Sequence, residues 1–320
     1  MSPAQSPLFP TSIPTDPAGQ SAPSGQLPGW RIDPAALTGL LQAPARRWRI
    51  DLVEETGSTN ADLLGHCRES GWSADDAAVV ARLAYRQTAG RGRQGRPWQG
   101  QAGMTFSVAL PLPLAPARLA GLSLAVGLAL AQAIEDCDAG TARAVRLKWP
   151  NDLQIDGRKL AGILIETVAA GKAAGATPAL WAVVGIGLNL VRDPAMEAAL
   201  GRELAGVTEC WPGFDAAQGP TRLFAAILNR LAQMRTDFIG HGFGPLARRW
   251  SARDAYREQP VRLLHEGAVL AEGMARGVDS DGHLLLETPE GLQRIASGEL
   301  SLRPAAGFPA ATTEPGGPAR

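Results

Sequence analysis

The residues most able to do chemistry form a short loop that is rich in glycine and arginine. Residues 87–96 read QTAGRGRQGR, and the glycines match the G-x-G-x-x-G spacing of dinucleotide-binding turns. Such a turn opens a helix and is followed about 20 residues later by an acidic residue, whereas Pro97 and a proline-rich stretch follow here. The arginines and exposed N–H groups instead suit the binding of an anion. A solvated basic loop is the alternative for this segment alone.

A second polar cluster follows a predicted strand, in the KWPND sequence of residues 148–152. Lys148 can neutralise a phosphate, and the side-chain oxygens of Asn151 and Asp152 can serve Mg²⁺, which binds through carboxylates together with substrate phosphates. A surface ion pair at a strand-to-turn junction would have the same sequence. Lys159 stands at the start of a strongly apolar strand, where its ammonium either enters a pocket or faces solvent.

Two weaker signals come from glycines in strands and from a helix start. Gly162 and Gly187 lie inside apolar strands, which indicates either a close approach of a ligand to the backbone or tight packing against a helix. Ser58 and Thr59 precede a predicted helix. Their hydroxyls either cap the free N–H groups of the helix or leave those groups to a polar ligand.

The composition describes a neutral protein with enough apolar residues for a large core. The 320 residues include 31 Lys and Arg against 31 Asp and Glu, and 45% are hydrophobic. A protein without a basic excess is a poor candidate for general nucleic-acid binding. Cys67, Cys137 and Cys210 lack C-x-x-C spacing, which indicates reduced thiols and no zinc site. No signal-peptide pattern is present, and the apolar segment Leu119–Ala131 is too short to span a membrane.

Alternating strand and helix signals predict a mixed α/β domain that positions these groups. The Asp156-Gly157 pair predicts a hairpin turn between two of the strands. The predicted strands are Ala78–Tyr85, Met104–Leu110, Val145–Trp149, Leu160–Thr167 and Trp181–Leu190, and the predicted helices are Asn60–Cys67, Ala117–Cys137 and Arg222–Ile239.

Changes in composition and turn spacing along the sequence divide the chain into four parts. Residues 1–44 are predicted to be a disordered or weakly ordered tail, because prolines crowd the first thirty positions. Residues 45–258 form the α/β domain. Short apolar runs separated by acidic-Gly pairs predict a small antiparallel β-domain over residues 259–304, and residues 305–320 are predicted to be a flexible tail.

Together, these motifs resemble those of biotin protein ligases. The segments GSTN at 57–60, QTAGRGRQGR at 87–96, KWPND at 148–152, RKLAGIL at 158–164, GIGLN at 185–189 and GELSLR at 298–303 occur in that family's order. The resemblance runs from about Thr56 to Arg303. It implies an α/β fold (α+β) in which a mixed-sheet catalytic domain of the biotin/lipoate ligase type precedes a small SH3-like β-barrel.

The resemblance implies a two-step reaction with ATP and biotin as substrates and Mg²⁺ as the metal. Biotin and ATP would give biotinyl-5′-AMP, and the biotinyl group would then pass to one lysine of the biotin carboxyl carrier protein of acetyl-CoA carboxylase. The enzyme would act in the cytoplasm without a membrane, as a monomer or a homodimer. The stretch before Trp48 is too short and too proline-rich for the winged helix-turn-helix of the repressor members, so operator DNA is not an expected partner.

The resemblance also implies roles for single residues. Lys159 and Arg93 would be catalytic, with Lys159 bridging the biotin carboxylate and the α-phosphate. Biotin would be bound by Ser58, Thr59, Asn60, Gln87, Arg91, Gly92, Arg93, Lys159, Gly162 and Gly187. ATP or the adenylate would be bound by Arg93, Arg96, Lys148, Asn151, Asp152 and Asn189, with Asp152 as the metal ligand.

Two other functions compete with biotin ligation. Lipoate protein ligases and octanoyl transferases share the catalytic fold and acylate a carrier lysine, but their pattern lacks an arginine loop followed by KWPND. A non-enzymatic nucleic-acid binder could use the arginine loop. Zero net charge and the lack of aromatic residues interleaved with the arginines argue against this second alternative.

Overall fold

A seven-stranded mixed sheet and a five-stranded antiparallel sheet form the frame of the molecule. The computed structural model describes residues 29–98, 103–138, 144–172, 178–296 and 300–305. The helices are α1 (Pro34–Leu40), α2 (Thr59–Glu69), α3 (Leu122–Cys137), α4 (Pro194–Leu200), α5 (Gly219–His241) and α6 (Ala247–Ser251). The strands are β1 (Arg49–Thr56), β2 (Val80–Gln87), β3 (Gly103–Leu112), β4 (Arg146–Lys148), β5 (Asp152–Ile155), β6 (Arg158–Lys172), β7 (Pro178–Asn189), β8 (Pro260–His265), β9 (Ala268–Val278), β10 (Leu284–Thr288), β11 (Gly291–Ile295) and β12 (Leu300–Pro304).

The larger sheet has the strand order β1-β2-β3-β7-β6-β5-β4 and is covered on both faces. On one face α5 packs against β3, where the rings of Phe106 and Phe224 meet edge to face with centroids 5.1 Å apart. On the other face α2 buries Leu63 and Leu64 against Trp181 of β7. Two covered faces explain why β3 and β7 are apolar almost throughout instead of alternating.

Most of the predicted elements are confirmed. The five predicted strands correspond to β2, β3, β4, β6 and β7, and the three predicted helices correspond to α2, α3 and α5. The hairpin turn is present, because Asp156 (φ 49°) and Gly157 (φ 76°) join β5 to β6. Strand β1 was missed. Its burial pattern does not alternate cleanly, and its partner in the sheet is the parallel strand β2.

The apolar helix α3 begins later than predicted. Pro116–Leu119 is a separate 3-10 turn, and the left-handed Gly121 (φ 77°) divides it from Leu122. A Cβ at Gly121 would lie 2.5 Å from the Phe243 side chain, so only glycine fits this junction. Within the described residues, Pro116–Cys137 is the single segment long and apolar enough to cross a membrane, and 61% of its most apolar window is buried in the protein.

The predicted N-terminal tail extends too far, since residues 29–44 are an ordered part of the core. Asp33 caps α1 by accepting hydrogen bonds from two backbone N–H groups of its first turn. Trp30, Leu37 and Leu41 are buried in the main apolar cluster, next to α5. These apolar positions were missed because the many prolines of residues 1–28 dominate the composition of the N-terminal stretch. Residues 1–28 lie outside the described part of the chain. The tail predicted after residue 305 also lies outside it.

In the C-terminal sheet, of order β11-β10-β9-β8-β12, strands β8 to β11 form the antiparallel meander that the turn spacing predicted, whereas β12 pairs with β8 at the opposite edge. Its inner residues Val261, Leu263 and Leu302 belong to the same apolar cluster as the larger sheet. The Trp149 indole N–H also donates a hydrogen bond to the Gly282 carbonyl oxygen at 3.2 Å. The two sheets therefore share one continuous core, and the predicted α/β fold with a small β-domain is confirmed.

Candidate active site

One cavity gathers nearly all the residues that the sequence singled out. It lies among the arginine loop, the start of α2, strands β6 and β7, and strand β12 of the second sheet. The predicted site residues that line it are Ser58, Thr59, Asn60, Gln87, Arg91, Gly92, Arg93, Arg96, Lys148, Asn151, Asp152, Lys159, Gly162 and Gly187.

One end of the cavity is built from polar side chains at the N-terminus of α2. Ser58 has the extended backbone of a cap residue, and its Oγ accepts from the Ala61 N–H at 3.5 Å. The Thr59 N–H donates to Gln87 Oε1 at 2.8 Å, so the free donor of the Gln87 amide is its Nε2 group. The helix start is thus capped, as the first alternative predicted, and its polar side chains line the cavity. Binding of a polar ligand there stays a prediction.

The Asn60 side chain fits into this end because Gly185 of β7 has no side chain. A Cβ at Gly185 would lie 2.3 Å from Asn60 Oδ1. Asn60 Nδ2 donates to Glu166 Oε2 at 2.8 Å, and Ser107 Oγ donates to Asn60 Oδ1 at 2.6 Å. Asn60 is only 4% exposed. This glycine therefore serves the packing of a site residue.

The middle of the cavity is apolar and is covered by Trp98. Gly162 and Gly187 are paired across β6 and β7, so their bare Cα atoms share one face of the sheet. A Cβ at Gly187 would lie 2.0 Å from the Trp98 indole, and a Cβ at Gly162 would lie 3.3 Å from it. The bare backbone at these glycines is thus covered by the protein's own Trp98 ring, and the close approach of a ligand to it stays a prediction.

The other end of the cavity holds two lysines around one carboxylate. Lys159 Nζ lies 2.6 Å from Asp152 Oδ1, and Lys148 Nζ lies 3.5 Å from Asp152 Oδ2. The Lys159 ammonium also lies 5.6 Å from the centroid of the Trp98 ring. Lys148 is 7% exposed, so it does not form the surface ion pair that was the alternative. This end of the cavity carries a net positive charge.

Burial and charge shift the pKa values at this end. Burial would raise the pKa of Asp152, but the attraction of Lys159 and Lys148 outweighs it and holds the pKa below its ordinary value. Burial lowers the pKa of Lys148 to about 8, because Asp152 compensates only part of the lost hydration and Arg303 and Lys159 add repulsion. Lys148 is therefore a cation that loses its proton in mildly alkaline solution.

The arginine loop folds into a tight hairpin over the cavity. The Gly92 N–H donates to the Arg96 carbonyl at 2.7 Å, and the Trp98 N–H donates to the Gly90 carbonyl at 2.8 Å. Arg93 Nη1 donates to Asn151 Oδ1 at 3.0 Å, which ties the loop to the KWPND segment. The next element in the described part of the chain is strand β3 and not a helix, which also argues against the dinucleotide interpretation.

Asn189 lies outside the cavity lining, unlike the other predicted site residues. Its Nδ2 group donates to the Lys159 carbonyl oxygen at 3.2 Å, and its side chain is buried. The Asn189 amide thus supports the backbone of the segment that carries Lys159. The predicted nucleotide contact at Asn189 stays a prediction.

Several residues that sequence reasoning passed over also line or support the cavity. Trp98 covers the glycines, Arg202 lines the wall after α4, and Arg303 reaches the wall from β12. Ser107 and Glu166 complete the polar end from the middle of two strands. Trp98 follows the arginine loop closely and Arg303 ends the GELSLR motif, so both could have been noticed. Ser107 and Glu166 had no local signal, because their partners are far away in sequence.

Few residues here could hold a metal by themselves. Among the described residues, Asp152 is the one carboxylate that lines the cavity, and both of its oxygens face lysine ammonium groups. Elsewhere Asp279, Asp281 and His283 cluster at the turn before β10. Arg294 already donates to both of those carboxylates, so the cluster is an ion-paired surface group.

The chain is similar to known proteins over most of its length. Residues 52–187 match the model of the biotin/lipoate A/B protein ligase family, and residues 258–303 match the model of the biotin protein ligase C-terminal domain. The Paracoccus denitrificans biotin–[acetyl-CoA-carboxylase] ligase is 33% identical over 254 residues, which is 78% of this chain and 98% of that protein. The Escherichia coli bifunctional ligase/repressor is 33% identical over 250 residues, 78% of this chain and 72% of that protein.

A solved structure shares the arrangement of the elements. The biotin protein ligase from Aquifex aeolicus in complex with biotin and ATP superposes with a TM-score of 0.63 at 27% sequence identity. The match covers 80% of this chain and 99% of that chain. Both the α/β domain and the small β-domain therefore have counterparts in known proteins.

Proposed function

Because this chain belongs to the biotin protein ligase family, we propose that it activates biotin with ATP and transfers the biotinyl group to a lysine of a carrier protein. Biotin joins a ureido ring to an aliphatic chain that ends in a carboxylate. The cavity is polar at the start of α2, apolar over the paired glycines and cationic at the two lysines. This order along one cavity is the observation that carries the proposal.

The spacing of the cavity walls agrees with this assignment. Gly185, Gly187 and Asn189 follow one another at every second position of β7, so neighbouring members of the series lie about 7 Å apart on one face. The polar end touches Gly185, the Trp98 ring touches Gly187, and the Asn189 side chain holds the Lys159 backbone. A ligand that extends along β7 would contact hydrogen-bond donors and acceptors at the α2 end of the cavity and cations at the opposite end.

The cations serve the first chemical step. The biotin carboxylate attacks the α-phosphorus of ATP, an O–P bond forms, and the bond to pyrophosphate breaks. Two anions must approach each other, so Lys159 and Lys148 offset their repulsion and stabilise the charge that grows on the phosphoryl oxygens. Arg93 and Arg96 of the loop bind the phosphates, with Arg93 held against Asn151.

The second step uses the product of the first. The ε-amine of an acceptor lysine attacks the acyl carbon of biotinyl-5′-AMP, an amide bond forms, and AMP leaves with the bonding electrons. The acceptor is the biotin carboxyl carrier protein of acetyl-CoA carboxylase, which agrees with the name of the Paracoccus denitrificans relative. The same cationic end that receives the triphosphate then stabilises the departing AMP.

Magnesium fits this site as a companion of ATP. One carboxylate shared between two lysines is too little for a resident metal, whereas Mg²⁺ usually keeps several waters and is held through phosphates and one or two carboxylates. Asp152 is the residue that would contact it, with the Asn151 amide oxygen nearby. Bound Mg²⁺ would neutralise charge on the phosphates.

The proposed cellular location of the enzyme follows from its substrates. ATP and carrier proteins are cytoplasmic, and all three cysteines are free thiols, so the proposed location is the cytoplasm. Operator DNA is not a proposed partner, because the chain has no net positive charge. A homodimer stays a prediction.

A pyrophosphate-exchange assay tests the proposal. The full chain with ATP, Mg²⁺ and labelled pyrophosphate should form labelled ATP when biotin is present, and should not do so when lipoate replaces biotin. A carrier domain should then become biotinylated, and the same domain with its acceptor lysine changed to arginine should not. Exchange with lipoate alone would identify a lipoate ligase, and no exchange with either acid would refute adenylation.

A further inference from the structure

A chain of hydrogen bonds leads from the partly exposed Glu166 on β6 to the buried start of α2. Asn60 Nδ2 lies 2.8 Å from Glu166 Oε2, and Asn60 Oδ1 lies 2.6 Å from Ser107 Oγ. Ser107 Oγ lies 2.7 Å from Thr59 Oγ1. Thr59, Asn60 and Ser107 are 3%, 4% and 0% exposed, so water cannot easily replace these contacts. The direction of each bond is therefore decided by the side chains themselves.

The carboxylate of Glu166 fixes the direction at one end. An ionised carboxylate only accepts hydrogen bonds, so the amide of Asn60 must turn its Nδ2 group toward Glu166 and its Oδ1 toward Ser107. Oδ1 has no hydrogen, and two oxygens 2.6 Å apart need one between them. Ser107 must therefore donate its single hydroxyl proton to Asn60.

The same reasoning fixes the direction at the other end. Ser107 has no second proton, so the 2.7 Å contact requires Thr59 to donate its hydroxyl proton to Ser107. Thr59 Oγ1 then has no proton for Gln87 Oε1, which lies 3.1 Å away and already accepts from the Thr59 N–H. The Thr59 hydroxyl consequently faces the cavity with lone pairs only.

We propose that Glu166 is a positioning residue that makes the Thr59 hydroxyl an obligatory acceptor for a ureido N–H of the substrate. Gln87 complements it, because its Oε1 is held by the Thr59 N–H and its Nε2 group is left as a donor. An acceptor beside a donor matches the N–H and C=O groups of a urea. This inference rests on the proposed function and adds how the pocket recognises the polar head of biotin.

Two neighbouring residues support this assignment. Gly185 leaves the space that the Asn60 amide occupies, since a Cβ there would lie 2.3 Å from Asn60 Oδ1. Arg91 Nη2 lies 3.6 Å from Glu166 Oε1, so the carboxylate also forms an ion pair with a guanidinium of the loop. Glu166 therefore contacts both the polar network and the arginine loop without lining the cavity itself.

The substitution Glu166→Gln tests the direction of the chain. Glutamine keeps the shape but can present either N–H or C=O, so the Asn60 amide can turn over and Thr59 can become a donor. Biotin titrated calorimetrically into the full chain should bind about tenfold more weakly than to the wild type. The KM for ATP should stay unchanged, because Glu166 touches nothing at the cationic end.

Ser107→Ala interrupts the same chain without touching the ion pair of Arg91. It should weaken biotin binding to a similar degree. The double variant with Glu166→Gln should bind biotin no more weakly than the poorer single variant, because both substitutions interrupt the same hydrogen-bond chain. Glu135→Gln is the matched control. It removes a carboxylate that is paired with Arg253 outside the cavity, and it should leave biotin binding unchanged. Thermal unfolding verifies that each variant is folded.

The outcomes distinguish the inference about Glu166 from the proposed function itself. Unchanged biotin affinity in folded Glu166→Gln would overturn the inference, and so would losses that multiply in the double variant. A parallel rise in the KM for ATP would assign Glu166 a general structural role and also overturn it. Failure of the wild type itself to bind biotin would instead refute the proposed function.

Discussion

At the scale of single residues, Asp152 determines how the two lysines are presented. A buried ammonium without a partner loses its proton readily, and a buried pair without further contacts gains little stability. One carboxylate between Lys148 and Lys159 keeps the group charged but leaves an excess of one positive charge. That excess is what an arriving carboxylate or phosphate encounters.

Replacing Lys159 with alanine should slow adenylate formation strongly. Loss of one preorganised charge donor raises a barrier by about 3 to 4 kcal/mol, which is roughly a hundredfold to a thousandfold in rate. Folding should survive, because Asp152 keeps Lys148 as a partner. Single-turnover formation of biotinyl-5′-AMP at saturating biotin and ATP measures the chemical step. Lys159→Arg should recover part of the rate, and a near-normal rate for folded Lys159→Ala would remove this lysine from the mechanism.

The lowered pKa of Lys148 predicts a decline of activity in alkaline solution. Burial places this pKa at about 8, so the protonated fraction falls as the pH rises through that value. The kcat/KM for ATP, which reports the free enzyme, should therefore decrease above about pH 8. Lys148→Arg keeps its charge and should remove the decline, although its absolute activity can be lower. An identical decline in the arginine variant would assign the titration to another group.

At the scale of elements, the segment between α6 and β8 holds a buried carboxylate. The Tyr256 N–H donates to Asp254 Oδ1 at 3.0 Å, while Oδ2 is buried without a hydrogen-bond partner among the described residues. Burial raises the pKa of Asp254 to about 6. The backbone of this segment pairs with β4, since the Ala255 N–H donates to the Leu147 carbonyl at 2.8 Å. The carboxylate thus sits where the chain leaves the larger sheet.

Asp254→Asn should stabilise the protein at neutral pH. A folded pKa above the unfolded value means that the folded state binds more protons, so stability falls as the pH rises from about 4 to 6 and stays lower above that window. Asparagine keeps the acceptor for Tyr256 and removes the charge. The free energy of unfolding should rise on the order of 1 to 3 kcal/mol in neutral urea titrations. The gain should vanish near pH 4, and a gain that is equal at both pH values would contradict this cause.

A control for this prediction is Asp136→Asn. Asp136 is an exposed carboxylate that is paired with Arg230, so its neutralisation should not stabilise the protein at either pH.

The elements show how far the sequence could predict this molecule. Helix α2 and strand β6 were visible because a cap, a hairpin turn and an apolar run are local signals. The link between Asn60 and Glu166 spans 106 residues, so no spacing rule could reveal it. The order of the motifs was enough to predict which residues lie together in the site. The hydrogen-bond network could be recognised only once the pairing of β3, β7 and β6 was known.

At the scale of the whole molecule, the two sheets meet where glycines lie close together. A Cβ at Gly282 would lie 2.7 Å from Gly121 Cα and 3.0 Å from Leu124 Cδ1. The Gly282 carbonyl also accepts the indole hydrogen bond of Trp149 in the KWPND segment. The turn before β10 therefore contacts both the start of α3 and the wall of the cavity.

Gly282→Ala should destabilise the protein more than Gly267→Ala. Both glycines have a left-handed backbone, at φ 80° and φ 87°, so alanine costs about 1 to 2 kcal/mol at either site. Gly267 has open space around it, whereas Gly282 meets Gly121 and Leu124. Overpacking should add about 1 to 3 kcal/mol at Gly282. Urea unfolding of the two variants measures the difference in the free energy of unfolding. Equal losses would show that the contacts of Gly282 with Gly121 and Leu124 add no overpacking cost.

The contribution of β12 to the cavity has a consequence for synthesis on the ribosome. Leu300, Leu302 and Arg303 form part of the wall, while the arginine loop and both lysines lie far earlier in the chain. A nascent polypeptide that has emerged through β7 already carries those cations, yet it lacks one side of the enclosure. We therefore expect a growing chain to be unable to retain a reactive acyl phosphate, and catalysis to begin only when translation has passed β12.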